Sequence, residues 1–213
     1  MIRNILFDLD GTLTDPKTGI VGCIRYALAE LGVEAPVDDE LLWCIGPPLK
    51  QSFEKLLAGR RDEAERALAL YRVRFGDVGM YENDVYDGVP ALLETLSDRN
   101  LFVATSKPQV YAKPILEHFG LAHYFQGIYG SELDGARSDK RHLLGHLLAE
   151  QKLTAAETVM IGDRRHDAEG ARANGLTTIW VEWGYGDKAE CDEVKPDHIC
   201  PTIDHLANVL NRL

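Results

Sequence analysis

The hydrophobic and polar positions divide the chain into three segments, and the first of them is short. The apolar run Ile5-Leu6-Phe7 is followed at once by the acidic sequence Asp-Leu-Asp-Gly. A compact apolar run of this length is typical of a parallel strand that is buried on both faces. We therefore expect a strand near the start of the chain, with acidic residues in the turn at its carboxyl end.

The second segment, from about residue 17 to residue 75, has a helical pattern. Its apolar residues recur every three or four positions, for example at Ile20, Ile24 and Leu28. This spacing predicts amphipathic helices that bury one face. The segment contains no convincing strand, so we expect an all-helical unit here.

In the third segment, beyond Pro90, short strands and helices alternate. The predicted strands cover residues 101–105, 127–129, 159–161, 177–181 and 198–199. The predicted helices cover residues 108–119, 139–151, 166–174 and 203–213. Strands that alternate with helices indicate an α/β fold, a parallel sheet with right-handed crossovers.

The first strand is apolar enough to belong to the same sheet, which makes the helical segment an insertion after it. We therefore expect a Rossmann-like core formed by residues 1–14 and 83–213. The inserted domain, residues 15–82, is expected to be a bundle of the four-helix type. A chain of 213 residues lies between one large domain and two modest ones, which agrees with this division.

Charge and composition exclude several classes of function. The chain has 34 acidic and 23 basic residues and a net charge of −11, so it repels nucleic acids and anionic membranes. We expect neither as a partner. The first residues do not resemble a signal peptide, and the four cysteines are scattered without a C-x-x-C pair. These features favour a cytoplasmic protein with reduced thiols. The oligomeric state stays open between a monomer and a homodimer.

Polar side chains with catalytic potential follow the predicted strands. In an open α/β sheet, ligands bind at the carboxyl ends of the strands, so these residues are expected to meet at one edge. Lys140, near the start of a predicted helix, is expected at the same edge. The residues at the strand ends or shortly after them are Asp8, Asp10, Thr105, Ser106, Lys107, Asp163 and Asp167.

Four sequence segments carry a resemblance to a known family. DLDGTLTD at 8–15, ATSKP at 104–108, Lys140 and IGDRRHD at 161–167 are similar, in order and spacing, to the four motifs of the haloacid dehalogenase superfamily of phosphohydrolases. Within it, the chain is most similar to the phosphoglycolate phosphatase and 5′-nucleotidase-like branch. In that branch a helical cap is inserted directly after the first motif.

The resemblance implies hydrolysis of a small phosphomonoester in two steps. Asp8 is the expected nucleophile and forms an aspartyl-phosphate. Asp10 is the expected acid toward the leaving oxygen and then the base toward water. We expect like-charge repulsion from Asp8 and Asp163 to raise the pKa of Asp10. Thr105 and Lys140 are expected to contact the phosphoryl group catalytically, and Ser106 is expected to help bind it.

A site with this many carboxylates needs a cation before it can accept a phosphate dianion. The resemblance implies Mg²⁺ as the cofactor, held by the side chains of Asp8 and Asp163 and by the backbone carbonyl of Asp10. Asp167 is expected to lie behind these ligands and orient a metal-bound water.

The sequence also indicates positions for several other basic residues. Lys50, in the cap segment 45–53 that is expected to face the active site, is a candidate substrate contact, with a solvated helix face as the alternative. Lys107 is expected to be solvent-facing or structural. His142 and His146 are expected on a helix surface rather than in a zinc site, and Arg164 and Arg165 are expected to make loop contacts.

Several functional alternatives remain open. A small phosphorylated metabolite is the expected partner, with phosphoglycolate favoured. Nucleoside monophosphates, as for a 5′-nucleotidase, and aryl or tyrosine phosphates are alternatives. A phosphomutase with the same motifs would return the phosphoryl group to a sugar rather than to water.

Overall fold

The computed structural model describes all 213 residues, and the chain divides into two compact units. Residues 1–15 and 85–213 form the first unit, which we call the core unit. Residues 16–84 form the second, which we call the helical unit. The role of the helical unit as a cap over the active site stays a prediction.

The core unit is built on a six-stranded sheet with the order β5-β4-β1-β6-β7-β8. Its neighbouring strands are all parallel, which confirms the predicted α/β class. The remaining two strands, β2 and β3, form a separate small sheet. The eight strands are, in chain order, β1 (Asn4–Phe7), β2 (Thr14–Asp15), β3 (Asp84–Val85), β4 (Asn100–Pro108), β5 (Gly127–Ser131), β6 (Thr158–Gly162), β7 (Thr177–Val181) and β8 (His198–Cys200).

Helices connect these strands and cover the sheet, as the alternating pattern predicts. The α-helices are, in chain order, α1 (Lys17–Glu30), α2 (Leu49–Leu56), α3 (Arg61–Arg74), α4 (Val89–Thr95), α5 (Gln109–His118), α6 (Lys140–Gln151), α7 (Arg165–Ala173), α8 (Lys188–Val194) and α9 (Ile203–Leu210). Of these, α8 was not predicted. It is short and acidic and buries only Cys191 and Val194, too few apolar positions to give a helical period.

The helical unit has three α-helices, so the expected bundle of the four-helix type is wrong in detail. Its fourth segment, Asp38–Cys44, is a 3₁₀ helix, and a π-helical turn, Phe75–Gly79, follows α3. The two buried residues of the 3₁₀ segment, Leu41 and Cys44, are three positions apart, which matches the period of a 3₁₀ helix. Pro36 and Pro47 lie on either side and limit its length.

None of the helices combines the length and hydropathy that a membrane span requires. The four cysteines, Cys23, Cys44, Cys191 and Cys200, are free and buried.

The register of the sheet places three sequence motifs together at the carboxyl ends of neighbouring strands, which we call the carboxyl edge of the sheet. Phe7, the last residue of β1, pairs with Val103 of β4 on one side and with Ile161 of β6 on the other. The chain goes from β1 to β4 and β5, and then crosses to β6 on the opposite side of β1. The strand order therefore reverses at β1, and such a reversal is where open α/β sheets bind ligands.

Helix α6 begins at this edge with a side-chain cap. Asp139 has an extended backbone, and its carboxylate accepts a 2.9 Å hydrogen bond from the amide of Arg141. This bond satisfies one of the amides that a helix leaves unpaired in its first turn. Lys140 is the first residue of the helix, so the cap also fixes where its side chain starts.

We predict that Asp139→Ala lowers the melting temperature by about 2–4 °C. Loss of an N-cap costs about 1 kcal/mol of unfolding free energy, and in a protein of this size that loss corresponds to such a shift. Differential scanning calorimetry measures the shift. Asp192→Ala is the matched control, since Asp192 is exposed within α8 and caps no helix. Equal shifts for the two variants would contradict the capping role.

Candidate active site

Asp8 directly follows β1 and is buried at the carboxyl edge of the sheet. Its amide donates a 2.9 Å hydrogen bond to the carbonyl of Ile161 in β6, which continues the parallel ladder past the strand. Its Oδ1 atom accepts a 2.8 Å bond from the amide of Leu9. The backbone therefore fixes both the position and the rotamer of this carboxylate.

Asp8, Asp163 and Asp167 form a cluster of buried carboxylates whose nearest oxygens all lie within 4.8 Å of one another. Asp163 follows β6, and its Oδ2 accepts a 2.7 Å hydrogen bond from the amide of Tyr185. Asp167, in the first turn of α7, accepts a 3.1 Å bond from the amide of Arg164. Two chain segments, the one after β1 and the one from β6 into α7, thus bring three negative charges to one point.

Lys140 places a buried cation among these carboxylates. Its Nζ lies 2.5 Å from Oδ1 of Asp167, 3.1 Å from Oδ1 of Asp8 and 2.7 Å from the carbonyl oxygen of Ala104. Burial lowers the pKa of Lys140, but Asp167 and Asp8 raise it more, so the net shift is upward. Lys140 is therefore held protonated beside the carboxylate predicted to be the nucleophile.

The single positive charge of Lys140 does not balance the negative charge of the three carboxylates. Burial raises the pKa of Asp163 well above its usual range, and the charges of Asp167 and Asp8 add to the shift. The pKa of Asp167 is also raised, mainly by burial, although Lys140 opposes it. The Oδ1 atom of Asp163 is buried and has no hydrogen-bond partner. An unpaired buried oxygen among three carboxylates fits a hard divalent cation, which binds oxygen ligands.

Two glycines let the backbone approach this cluster. Gly11 has a φ of +81°, and a Cβ there would lie 2.2 Å from Oδ2 of Asp163. A Cβ at Gly184 would lie 2.3 Å from the same oxygen. Any larger residue at either position would displace Asp163, so both glycines are needed for the geometry of the site.

Asp10 is also buried at this edge, and its partner is Lys107. The Nζ of Lys107 lies 2.7 Å from Oδ1 of Asp10, and both side chains are less than 10% exposed, at 6% and 9%. The expectation that Lys107 faces solvent is therefore wrong. Strand β4 continues through Pro108 with a register irregularity after Ala104, and from this stretch the Lys107 side chain reaches Asp10 in the site.

The pKa of Asp10 is raised, as expected, but the main cause differs from the expected one. Burial is the largest contribution, Lys107 opposes it, and the charge of Asp8 adds a smaller upward shift. The expected repulsion from Asp163 is not among the causes.

Thr105 and Ser106 lie at the end of β4 beside the carboxylates. Thr105 is buried, and its hydroxyl accepts a 3.2 Å hydrogen bond from the amide of Lys107. The carbonyl of Ser106 accepts a 2.8 Å bond from the hydroxyl of Ser131 in β5. Neither hydroxyl caps α5, whose N-cap residue is Pro108. Both residues stay predicted phosphate contacts.

A loop after β7, which the sequence pattern did not predict, supports the site. In addition to the Tyr185 amide bond to Asp163, the Tyr185 hydroxyl donates to the carboxylate of Asp15. Burial raises the pKa of this hydroxyl, and Asp15 raises it further. The indole of Trp183 donates a 3.1 Å bond to the carbonyl of Thr12. The aromatic residues and glycines of this loop, WGYG, are the only signal that could have marked it.

Arg164 and Arg165 make contacts that stabilise the loop between Asp163 and α7, in agreement with the interpretation of the sequence. The guanidinium of Arg164 is largely buried and forms a two-point ion pair with Glu190 in α8, at 3.2 and 2.8 Å. Arg165 pairs with Glu169 and Glu193 on the surface.

Three predicted residues lie outside the cluster. Lys50 belongs to the helical unit, is exposed, and pairs with Glu65 at 3.2 Å. His142 and His146 are exposed on α6, and His146 pairs with Glu150. The group of potential metal ligands in the structure contains neither histidine.

The chain resembles proteins of known family over nearly its whole length. The family model for haloacid dehalogenase-like hydrolases matches residues 5–181. A 5′-nucleotidase of Pseudomonas aeruginosa is 47% identical over 209 residues, which cover 97% of this chain and 95% of that protein. The tyrosine-protein kinase PtkA of Mycobacterium tuberculosis is 38% identical over 97% of this chain and 72% of its own.

A more distant relative and a solved structure indicate the same family. A phosphoglycolate phosphatase of Agrobacterium fabrum is 29% identical over 95% of this chain and 88% of its own. The crystal structure of a predicted phosphatase from Clostridium acetobutylicum superposes with a TM-score of 0.95 at 40% identity, and the match covers all of both chains. The motifs, the sheet topology and these matches agree, and the chain belongs to the haloacid dehalogenase-like hydrolase family of enzymes.

Proposed function

We propose that this enzyme is a Mg²⁺-dependent phosphomonoester hydrolase that works through an aspartyl-phosphate on Asp8. The observation that carries the proposal is the buried arrangement of Asp8 at the end of β1, with the Lys140 ammonium 3.1 Å from one of its oxygens. A carboxylate held rigidly beside a cation can act as a nucleophile toward phosphorus.

In the first step, a carboxylate oxygen of Asp8 forms a bond to phosphorus while the bond from phosphorus to the ester oxygen breaks. Asp10 donates its proton to the departing oxygen, which leaves as a neutral alcohol. Asp10 suits this role because burial raises its pKa, and the contact with Lys107 reduces this shift without cancelling it, so the protonated form is favoured. Lys140 balances the charge of Asp8 and Asp167 during the transfer.

In the second step, Asp10 acts as a base. It takes a proton from water as the water oxygen attacks the phosphorus of the aspartyl-phosphate. The bond between phosphorus and Asp8 breaks, inorganic phosphate leaves, and both carboxyl groups return to their starting state. Thr105 and Ser106 bind the phosphoryl oxygens in both steps.

The residues that would hold Mg²⁺ are Asp8 and Asp163 through their side chains and Asp10 through its carbonyl, with Asp167 behind them. The unpaired Oδ1 of Asp163 supports this assignment. When bound, the ion neutralises the charge of the phosphate and of the carboxylates. Without it, the carboxylates of this site repel the substrate.

We predict that Asp8→Asn lowers the rate of phosphate release by about 10³-fold or more, because the amide is not a nucleophile. Asp98→Asn is the control, since Asp98 is exposed and belongs to none of the four motifs. Acid-quenched wild-type enzyme should also carry a phosphoryl group on the peptide that contains Asp8. Near-normal turnover by Asp8→Asn would rule out the aspartyl-phosphate mechanism.

Removal of divalent metal with EDTA should abolish hydrolysis, and added Mg²⁺ should restore it. Mg²⁺ should also raise the melting temperature, since an ion bound only to the folded state stabilises it by about 2.7 kcal/mol at a hundred times its Kd. Asp163→Asn should lose most of this rise, whereas Asp192→Asn should keep it. A full Mg²⁺-dependent rise in Asp163→Asn would contradict the assigned ligand.

The substrate class that we propose is supported by the relatives rather than by the site. The 47% identity to a 5′-nucleotidase, against 29% to a phosphoglycolate phosphatase, puts nucleoside 5′-monophosphates first and phosphoglycolate second. PtkA, named a tyrosine-protein kinase, makes transfer of a phosphoryl group to another acceptor the competing activity. Lys50 stays a predicted contact to the substrate.

We predict that kcat/KM for nucleoside 5′-monophosphates exceeds that for phosphoglycolate and phosphotyrosine by about 10-fold or more, the scale on which pocket contacts separate substrates. Phosphate release measured across a panel of esters gives the ranking. Hydrolysis releases one inorganic phosphate for each ester consumed. A phosphorylated sugar or peptide product in place of inorganic phosphate would instead identify a mutase or a kinase.

A further inference from the structure

Lys107 lies inside the active site but has no role in the two steps above. Its side chain is 6% exposed, and its Nζ lies 2.7 Å from Oδ1 of Asp10. Lys140 contacts Asp8 and Asp167, whereas Lys107 contacts Asp10. Two lysines from different elements therefore pair with different carboxylates of the site.

A buried ion pair of this kind is weak evidence for a role in stability. Removing two charges from water costs free energy that their attraction only partly returns, so an apolar pair of similar size is often as stable. A buried ion pair does fix the geometry of the two groups that form it. The contact with Lys107 therefore affects the orientation of the Asp10 carboxyl group more than the stability of the fold.

The backbone that carries Lys107 is held by a contact within β4 and by close packing against β5. Its amide donates to the hydroxyl of Thr105 at 3.2 Å. A Cβ at Gly130 of β5 would lie 2.6 Å from the carbonyl oxygen of Lys107, which shows how closely the two strands pack. Ser131 of the same strand bonds to the carbonyl of Ser106 at 2.8 Å. The ammonium group therefore extends from a rigid anchor.

We propose that Lys107 is a positioning residue for Asp10. By holding Oδ1, it fixes the carboxyl plane so that Oδ2 faces the ester oxygen that leaves in the first step. The role rests on the proposed function, because it concerns the proton that Asp10 gives to that oxygen. In this step the bond from phosphorus to the leaving oxygen breaks, the bond from phosphorus to Asp8 forms, and the proton moves from Asp10 to the leaving oxygen.

This role makes a prediction that a purely structural role does not. An alkyl phosphate leaves as a poor, basic alkoxide and needs the proton, whereas dinitrophenyl phosphate leaves as a stable anion and does not. Misplacing Asp10 should therefore slow alkyl esters selectively. General loss of structure would slow both esters equally.

The experiment compares kcat/KM for glycerol phosphate and dinitrophenyl phosphate in wild type, Lys107→Met, Asp10→Asn and the double variant. The ratio of the two values does not depend on the fraction of enzyme that is folded. We expect Lys107→Met to lower the alkyl value by about 10- to 100-fold, as small misplacements of catalytic groups do, and the dinitrophenyl value by less than about 3-fold. Lys107→Gln gives a second variant if Lys107→Met folds poorly.

Lys113→Met is the matched control, because Lys113 is exposed on α5 and pairs only with Glu117 among the ion pairs of the structure. It should leave the ratio unchanged. In the Asp10→Asn background, Lys107→Met should cause little further loss, since a residue that acts through Asp10 has nothing left to position.

The outcomes separate the inference from the proposed function. If wild type hydrolyses neither ester, the proposed function fails. If Asp10→Asn slows the alkyl ester selectively but both Lys107 variants slow the two esters equally, the proposed function stands and the positioning role is overturned. Full additivity of Lys107→Met and Asp10→Asn would overturn it as well.

Discussion

The structure of the site depends on the repulsion among carboxylates that two neighbouring parallel strands, β1 and β6, and the segments after them bring to one edge of a sheet. Asp8, Asp163 and Asp167 lie within 4.8 Å of one another in a buried environment, where like charges interact strongly. Their neighbours reduce this repulsion: backbone amides bond to each of them, and Lys140 lies between two. The negative charge that these groups leave unbalanced is what a bound metal ion would neutralise.

The same balance explains why an acidic protein can act on an anion. The net charge of −11 describes the whole surface, but a phosphate meets only the few groups at the sheet edge. There, two buried lysines and a divalent cation would balance the charge of the four buried aspartates, Asp8, Asp10, Asp163 and Asp167. A surface of this net charge repels a long polyanion, which contacts a wide area, but it does not prevent the binding of a single phosphate group.

Sequence reasoning succeeded where residue type and strand position together fix the outcome. Asp8 and Asp163 were placed correctly because each directly follows an apolar strand in a parallel sheet. Lys107 was misplaced because its direction depends on β4 staying extended to Pro108, where a helix was expected to start. The loop with Tyr185 was missed because its bond to Asp163 joins residues that are 22 positions apart and has no periodic pattern.

The position of the insertion has a consequence for how such proteins diversify. Strands β1 and β4 are neighbours in the sheet, yet the whole helical unit lies between them in the chain. The entropy of closing a loop grows only slowly with its length, so segments of very different size can be accommodated there. Asp8 and Thr105 are held by the sheet on either side of that segment. Evolution can therefore change the size and content of the inserted unit without rebuilding the sheet that holds Asp8 and Thr105.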